Sequence, residues 1–481
     1  MKKLILTFYI IFCFLLGFSQ KDSSANLKPK MVLDFQIIDY QYINLAAKTV
    51  NKANTSVNFA DYLASFSSPS MSQSLAVSSS LYAITHFGLD QMMKKTLIKK
   101  PFLDYLAKSI IWSGTEYVLN YIPLGNGWLH EEYHRAVLTT FYVKSFNDMN
   151  TFPVFSEAVS VNHVTDNDLI RFKAESNPNF VRLQEAGIEG EFMLTYQLQK
   201  YNFFYNQKQS YFTSNMLSIL NSFAYVWICH TEESEIFTNE FNAAEGTNVE
   251  VRDFTGLDFL GWTYDLFHPN ENYIDRGMHP SGVGIDRYIK PSDLVITSDG
   301  DPLKYLRKQG YLQLFNFVSP MLFGLDRIKV GENAEGKTYA NFAFRHFLTS
   351  FGSDVSPIVF YQTPKYNWIF AYHFYRNLNH SFHGIEAELF DFNINFNKIQ
   401  TFSSLKVMTW LQPYEQRFTT SKSSLRALVD FKFKIRVSKI IFPYFQLVAK
   451  TNGWVAGNVF LENNLSFKFG VNINLNSFSK K

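Results

Sequence analysis

The feature that most constrains this chain is the run Leu425, Ala427, Val429, Phe431, Phe433, Ile435 and Val437, in which every odd position is apolar. Arg426, Asp430, Lys432, Lys434 and Arg436 fill most of the even ones. Successive side chains of a strand point to opposite faces, so the run predicts a strand with one apolar and one charged face. Leu465, Phe467, Phe469, Val471, Ile473 and Leu475 repeat the pattern against Ser466, Lys468, Asn472 and Asn474, and Tyr366, Trp368, Phe370, Tyr372 and Phe374 repeat it more loosely. From residue 331 to the C-terminus the spacing predicts about eight strands of roughly 9–14 residues, joined by Gly, Asn, Ser and Pro turns.

What such strands face depends on where the chain resides. Lys2-Lys3, an apolar run from Leu4 to Phe18, and Gly17 and Ser19 before Gln20 read as a secretory signal peptide over residues 1–19, which implies export to the cell envelope. Cys13 lies inside the apolar run, away from a lipid-attachment context, so the mature chain keeps one cysteine, Cys229, and has no intramolecular disulfide. Long strands with aromatic-rich faces behind a signal peptide resemble the antiparallel barrels of bacterial outer membranes, with lipid on the apolar side and the charged side in the lumen. Eight strands leave an interior just wide enough for side chains, so no pore is implied. The alternative is a soluble sheet whose apolar face packs on the rest of the protein and whose charged face meets water.

The 481 residues predict two or three domains. Charged residues are only 18% and aromatic residues 17%, including 49 Phe and 27 Tyr, a balance that points to a membrane-facing surface. With a net charge of +3 and no long basic run in the mature chain, nothing points to nucleic acid or an acidic polymer, and no nucleic-acid partner is expected. Residues 20–75 form a lead-in of undefined structure. Residues 76–330 are patterned as helices over Leu81–Lys94, Pro101–Tyr121, Trp128–Lys144, Phe180–Tyr201, Phe212–Cys229 and Asp301–Leu325. Two stretches, Glu232–Asp253 and His268–Asp286, read as loops that connect elements or contact a substrate. The expected fold class is therefore α+β: a helical domain over 76–330, then an antiparallel meander over 331–481.

Within the helical region stands His130-Glu131-Glu132-Tyr133-His134. Gly125-Asn126-Gly127 precedes it as a turn, with Asn126 in position to cap a helix through the motif. Residues four apart on a helix are neighbours, so both imidazoles reach one zinc ion at ~2.0–2.1 Å, with Glu131 beside them. Zinc brings the pKa of a bound water toward neutrality, and Glu131 accepts its proton as the hydroxide attacks a carbonyl. The third ligand is expected from Glu185-Ala186-Gly187-Ile188-Glu189-Gly190-Glu191: Glu189 first, Glu185 otherwise, with the remaining carboxylate orienting a histidine. Gly187 and Gly190 weaken that helix, a cost explained if it approaches the motif helix closely.

These residues resemble the zincin metallopeptidases, and among them the gluzincin pattern of a His-Glu-x-x-His helix followed by a helix with a glutamate ligand. The resemblance covers His130 to His134 and, less fully, Glu185 to Glu189. It implies Zn2+ as cofactor, His130 and His134 as ligands, Glu131 as base and a peptide or protein as substrate. A rival reading takes Glu131-x-x-His134 as half of a di-iron bundle, which needs a second Glu-x-x-His that the chain lacks. A third makes the histidines the polar face of an ordinary helix, in a non-enzymatic outer-membrane protein whose helices form a plug or a partner-binding domain. His163, His230, His268 and His279 read as surface or core histidines. Ser281 lacks a nucleophile context, and the uncharged stretch Phe212 to Cys229 reads as a buried helix rather than a span.

Overall fold

A single ten-stranded antiparallel sheet organises the molecule. The computed structural model describes residues 30–52, 56–93, 96–151, 159–205, 210–396 and 399–476. The expected signal peptide, residues 1–19, and the first part of the lead-in lie outside the described residues. Strand β1 (Lys30–Asp39) comes from that lead-in, and a two-stranded ribbon of β2 (Phe146–Asn147) and β3 (Val161–Asn162) sits in the helical region. The meander then runs through β4 (Ile328–Asn333), β5 (Gly336–Thr349), β6 (Gly352–Gln362), β7 (Asn367–Arg376), β8 (Ser381–Phe396), β9 (Ile399–Pro413), β10 (Ser423–Ile435), β11 (Ile441–Lys450) and β12 (Asn464–Asn476). Each strand pairs with the next, and β1 joins beyond β12. The expectation of about eight strands thus falls short: the short β4 and the remote β1 lack the long alternation that reveals the others.

The alternation survives folding with a definite sense. Leu425 is 75% exposed and Leu465 55%, whereas Arg426 and Lys434 are each 6% exposed. The soluble alternative required the apolar face to pack on the helices. The helices instead pack on the charged face. Its charges are paired, as burial demands: Lys200 with Glu388 at 2.6 Å, Lys432 with Asp34 at 2.8 Å, His373 with Asp354 at 2.8 Å, and Lys434 with Asp391. Outside, neighbouring strands set apolar side chains opposite one another, with Phe431 facing Leu405 and Leu447, and Phe445 facing Phe433 and Phe469.

Eleven helices are described: α1 (Tyr40–Asn51), α2 (Phe59–Ser65), α3 (Met71–Met93), α4 (Pro101–Asn120), α5 (Asn126–Thr140), α6 (Asp166–Glu175), α7 (Asn177–Tyr205), α8 (Ser210–Ile228), α9 (Glu232–Ala244), α10 (Asp258–Phe267) and α11 (Pro302–Leu312). The predicted loop at Glu232–Asp253 opens as helix α9 because Glu232, Glu233 and Glu235 lie in its first turn, where backbone N–H groups favour negative charge. Asp301–Leu325 is helical only as far as Leu312 and continues in single 3-10 turns.

Helix α7 is the axis of the fold. Almost every residue from Asn179 to Tyr205 is buried. Its first half packs on α5 and α10, and its second half runs along the charged face of the sheet, where Tyr196, Phe203 and Phe204 meet Phe360.

The sheet does not close on itself. Among the described residues β1 and β4 stand at its two ends and do not pair with each other, so the strands form an open sheet where a closed barrel was expected. Other groups occupy the free edges. Ser80 of α3 accepts a hydrogen bond from Asp34 N at 2.8 Å and donates to Asp34 O at 3.0 Å, and Gln73 donates to Ile37 O at 3.0 Å. On the opposite side Phe344 N donates to Val318 O at 3.0 Å, and Asn316 accepts from His346 N at 2.7 Å.

Candidate metal centre

Helix α5 begins one residue earlier than a cap at Asn126 would place it: Gly125 is the N-cap, and Asn126, the first helical residue, donates to Asn120 Oδ1 at 3.2 Å. The helix is buried nearly throughout, so its polar residues must find partners inside the protein. Glu132, a charge within the motif, meets Arg135 Nη1 at 2.7 Å and accepts from Asn147 Nδ2 at 2.8 Å. It is neutralised on the side facing β2.

His130 and His134 share the opposite face with ring centroids 4.9 Å apart. The carboxylate beside them belongs to Asp258, the first residue of α10. Its Oδ2 lies 3.0 Å from His130 Nε2 and 3.5 Å from His134 Nε2. Ligands at ~2.0–2.1 Å around a tetrahedral ion are separated by about 3.4 Å, so the three atoms already stand near the edges of a coordination polyhedron. Among the described residues these three form a group able to hold a metal ion, with ligand atoms all within 4.8 Å of one another and each residue buried.

The far side of each imidazole is held in the manner of a metal ligand. His134 Nδ1 donates to Leu183 O at 2.6 Å, which leaves the lone pair on Nε2, and that buried nitrogen has no hydrogen-bond partner. His130 Nδ1 meets Glu191 Oε1 at 2.8 Å, and Ser222 donates to the other oxygen of Glu191. Such outer contacts fix tautomer and ring orientation. Gly187 makes room for both rings: a Cβ there would lie 2.2 Å from His130 Nε2 and 2.4 Å from His134 Nε2. Gly190 does the same for Tyr133, whose ring would stand 3.0 Å from a Cβ. The two glycines therefore serve the close approach of α5 and α7 that their positions predicted.

Glu185 and Glu189 are elsewhere. Both are fully buried around Arg182, which donates to Glu185 Oε1 and to Glu189 Oε1 at 3.1 Å each. Trp454 Nε1 donates to Glu185 at 2.8 Å, and Gly457 N to Glu189 at 2.6 Å. The pair ties α7 to the connection between β11 and β12. The carboxylate that stands beside the two histidines is therefore that of Asp258, where Glu189 or Glu185 was expected. Spacing within α7 cannot bring Glu185 or Glu189 to the histidines because Gly187, between them, presents the face that meets the rings. Glu191, one residue beyond Gly190, is the carboxylate of that segment that reaches a ligand.

The electrostatics follow from burial. Burial disfavours the charged imidazolium of His130, yet Asp258 and Glu191 outweigh it and raise its pKa well above the ordinary value. Burial likewise works against ionised Asp258, and the imidazoles of His134 and His130 overcome it, holding the carboxyl far below its usual range. Glu131 is pushed well above the usual range, mainly by burial, with His130 opposing and Asp253, Asp258 and Asp148 adding repulsion. It is a carboxyl poised to take or hold a proton.

No family model, curated protein or solved structure matches this chain. The site must be judged on its own chemistry. Two imidazoles whose Nδ1 atoms are engaged by Leu183 O and Glu191, together with a carboxylate, fit a divalent ion of the zinc type, and the donor set contains nothing that demands a larger oxygen-rich shell.

The remaining histidines stay apart from this group. His163 contacts Asn162 Oδ1 at 2.5 Å, His230 packs edge-on against Trp227, and His268 stacks on Tyr264. His279 Nδ1 lies 2.9 Å from Ser281 Oγ, a neighbour that sequence spacing did not identify, but Arg252 donates to the same oxygen at 2.9 Å. The place of Asp258 beside the histidines was not discernible from sequence. It lies 124 positions beyond His134, and the sole local hint is an acid opening a short helix.

Proposed function

We propose that this protein is a zinc-dependent hydrolase of peptide bonds, resident in the cell envelope, with His130, His134 and Asp258 holding the ion and Glu131 acting as general base. The observation that carries this reading is the convergence of two imidazole Nε2 atoms on one carboxylate oxygen, at 3.0 and 3.5 Å. Zinc bound there would polarise a substrate carbonyl and acidify a water molecule.

The protein's own groups do the rest. Leu183 O and Glu191 hold the rings in register, so little reorganisation is needed when the reaction begins. The raised proton affinity of Glu131 suits it to accept a proton from water and return it to the leaving amine.

The test is hydrolysis of fluorogenic casein and of a mixed peptide library by the zinc-loaded mature chain. Glu131→Gln should keep the metal and lose at least ~100-fold in rate, the contribution typical of a positioned base. Equal rates in the variant would sink the assignment of Glu131.

A second reading concerns location, and the sense of the sheet favours it. We propose that the sheet sits in the outer membrane with its apolar face in lipid. What supports this is the exposed row Leu425, Val429, Val407, Phe370, Ile385 and Leu465 set against a buried charged face. Under the non-enzymatic alternative the same sheet would hold the helices as a plug, and the histidine cluster would serve structure alone.

A further inference from the structure

We infer that helices α3, α4 and α8 complete the wall that the sheet leaves open, and that the outer stripe of α4 lies in the same phospholipid bilayer as the apolar face of the strands. The inference rests on the reading of the sheet as membrane-embedded and extends it to a part of the chain in which no helix is long and apolar enough to cross a membrane by itself.

Three observations carry it. The first is continuity. From the β1 edge the wall passes to α3 through Ser80 and Gln73. From the β5 edge it passes through residues 316–319 to α8, where Phe317 packs on Phe223 and Leu322 clusters with Met216 and Ile219. Within the gap, Glu116 of α4 pairs with His86 of α3 at 3.0 Å and accepts from Ser214 of α8 at 2.8 Å, so the three helices are fastened together. In hydrocarbon an open sheet edge is not tolerated, and these contacts give partners to Asp34 and Ile37 of β1 and to Phe344 and His346 of β5.

The second is inversion. On α4 the outward residues are Phe102, Leu103, Leu106, Ile110, Tyr117 and Val118, with Phe102 73% and Ile110 58% exposed. The inward residues Ser109, Trp112, Glu116 and Leu119 are buried, so the hidden face carries a serine and a carboxylate beside two apolar side chains. A soluble helix hides its apolar stripe. This one shows an apolar stripe of six residues while its only glutamate, Glu116, is buried on the inner face, in the same sense as the strands. The charged side chains of α3, α4 and α8 are only Asp90, Asp104, Lys108 and Glu116, and Lys108 is paired with Asp104 at 2.8 Å on the flank of the stripe.

The third is fit to a bilayer. From Phe102 to Val118 the stripe rises about 24 Å, close to the hydrocarbon thickness that outer-membrane barrels span. Lys99 and Lys100, both exposed, immediately precede it, where ammonium groups meet lipid phosphates.

The experiment places one cysteine at a time in the full mature chain, whose native Cys229 is buried. The variants Ile110→Cys, Val429→Cys and Asp299→Cys are labelled with an environment-sensitive nitrobenzoxadiazole probe and reconstituted in phosphatidylethanolamine–phosphatidylglycerol vesicles. Quenching by bromine-labelled acyl chains is compared with quenching by aqueous iodide. The expected result is several-fold stronger lipid quenching at positions 110 and 429 and the reverse at 299. Lipid quenching at 429 with iodide quenching at 110 would overturn the inference and leave the sheet reading intact. Iodide quenching at both would overturn the two together. Protection of 110 from both quenchers would mean that a second protein copy covers the stripe, which also overturns it.

Discussion

Gly187 stands so close to His130 that a Cβ on the glycine would lie 2.2 Å from the imidazole Nε2. The missing side chain is what lets α5 and α7 bring the metal-binding face of the histidines against the backbone of a second helix. Gly187→Ala should therefore displace both rings, with a stability cost of about 1–3 kcal/mol from overpacking and a loss of zinc affinity larger than that cost explains. Chemical denaturation and competition with a zinc chelator measure the two effects separately. Unchanged affinity in a folded Gly187→Ala protein would contradict the packing of the site.

Glu191 meets His130 at Nδ1, while Asp258 meets the same ring at Nε2. Glu191→Gln keeps the shape and removes the charge that His130 Nδ1 meets at 2.8 Å, so zinc affinity should fall roughly 10–100-fold while binding persists. Complete loss of zinc from a folded variant would instead place Glu191 among the ligands.

Arg182 is wholly buried between two carboxylates, with Trp454 and Gly457 completing the cluster. Arg182→Met strands both acids and should cost about 3–5 kcal/mol, as breaking a buried ion pair usually does. The double change of Glu185 and Glu189 to Gln in the Arg182→Met background should restore part of it. Urea titration reads the difference.

The same cluster makes stability depend on pH. Burial, and then the neighbouring Glu189, raise the pKa of Glu185 well above the usual range, with Arg182 opposing. The native state thus binds more protons than the unfolded chain between the ordinary glutamate range and the raised value, and stability falls as pH rises through that window. Glu185→Gln removes the linked proton, so its unfolding free energy should decline less steeply there, by up to ~1.4 kcal/mol per pH unit. Parallel slopes for variant and wild type would contradict a proton held by Glu185.

Strands and long helices were legible because their period is written along the chain. Leu425 to Val437 announced a two-faced strand, and only the sense of its facing awaited the structure. β1 was hidden because Lys30–Asp39 has too few neighbours of its own pattern and is recruited by β12, more than four hundred residues away. The motif helix and both glycines could be read directly. Asp258 could not, since a carboxylate brought in by tertiary packing leaves no spacing signal, whereas helical spacing favours Glu189, which the fold gives to Arg182.

The most direct measurement is the zinc content of the purified mature chain in mild detergent, by elemental analysis, for wild type, Asp258→Ala and Glu189→Gln. The account predicts about one zinc per chain in wild type and in Glu189→Gln, and none in Asp258→Ala. A zinc-free wild type, or zinc retained in Asp258→Ala and lost in a folded Glu189→Gln, would contradict it.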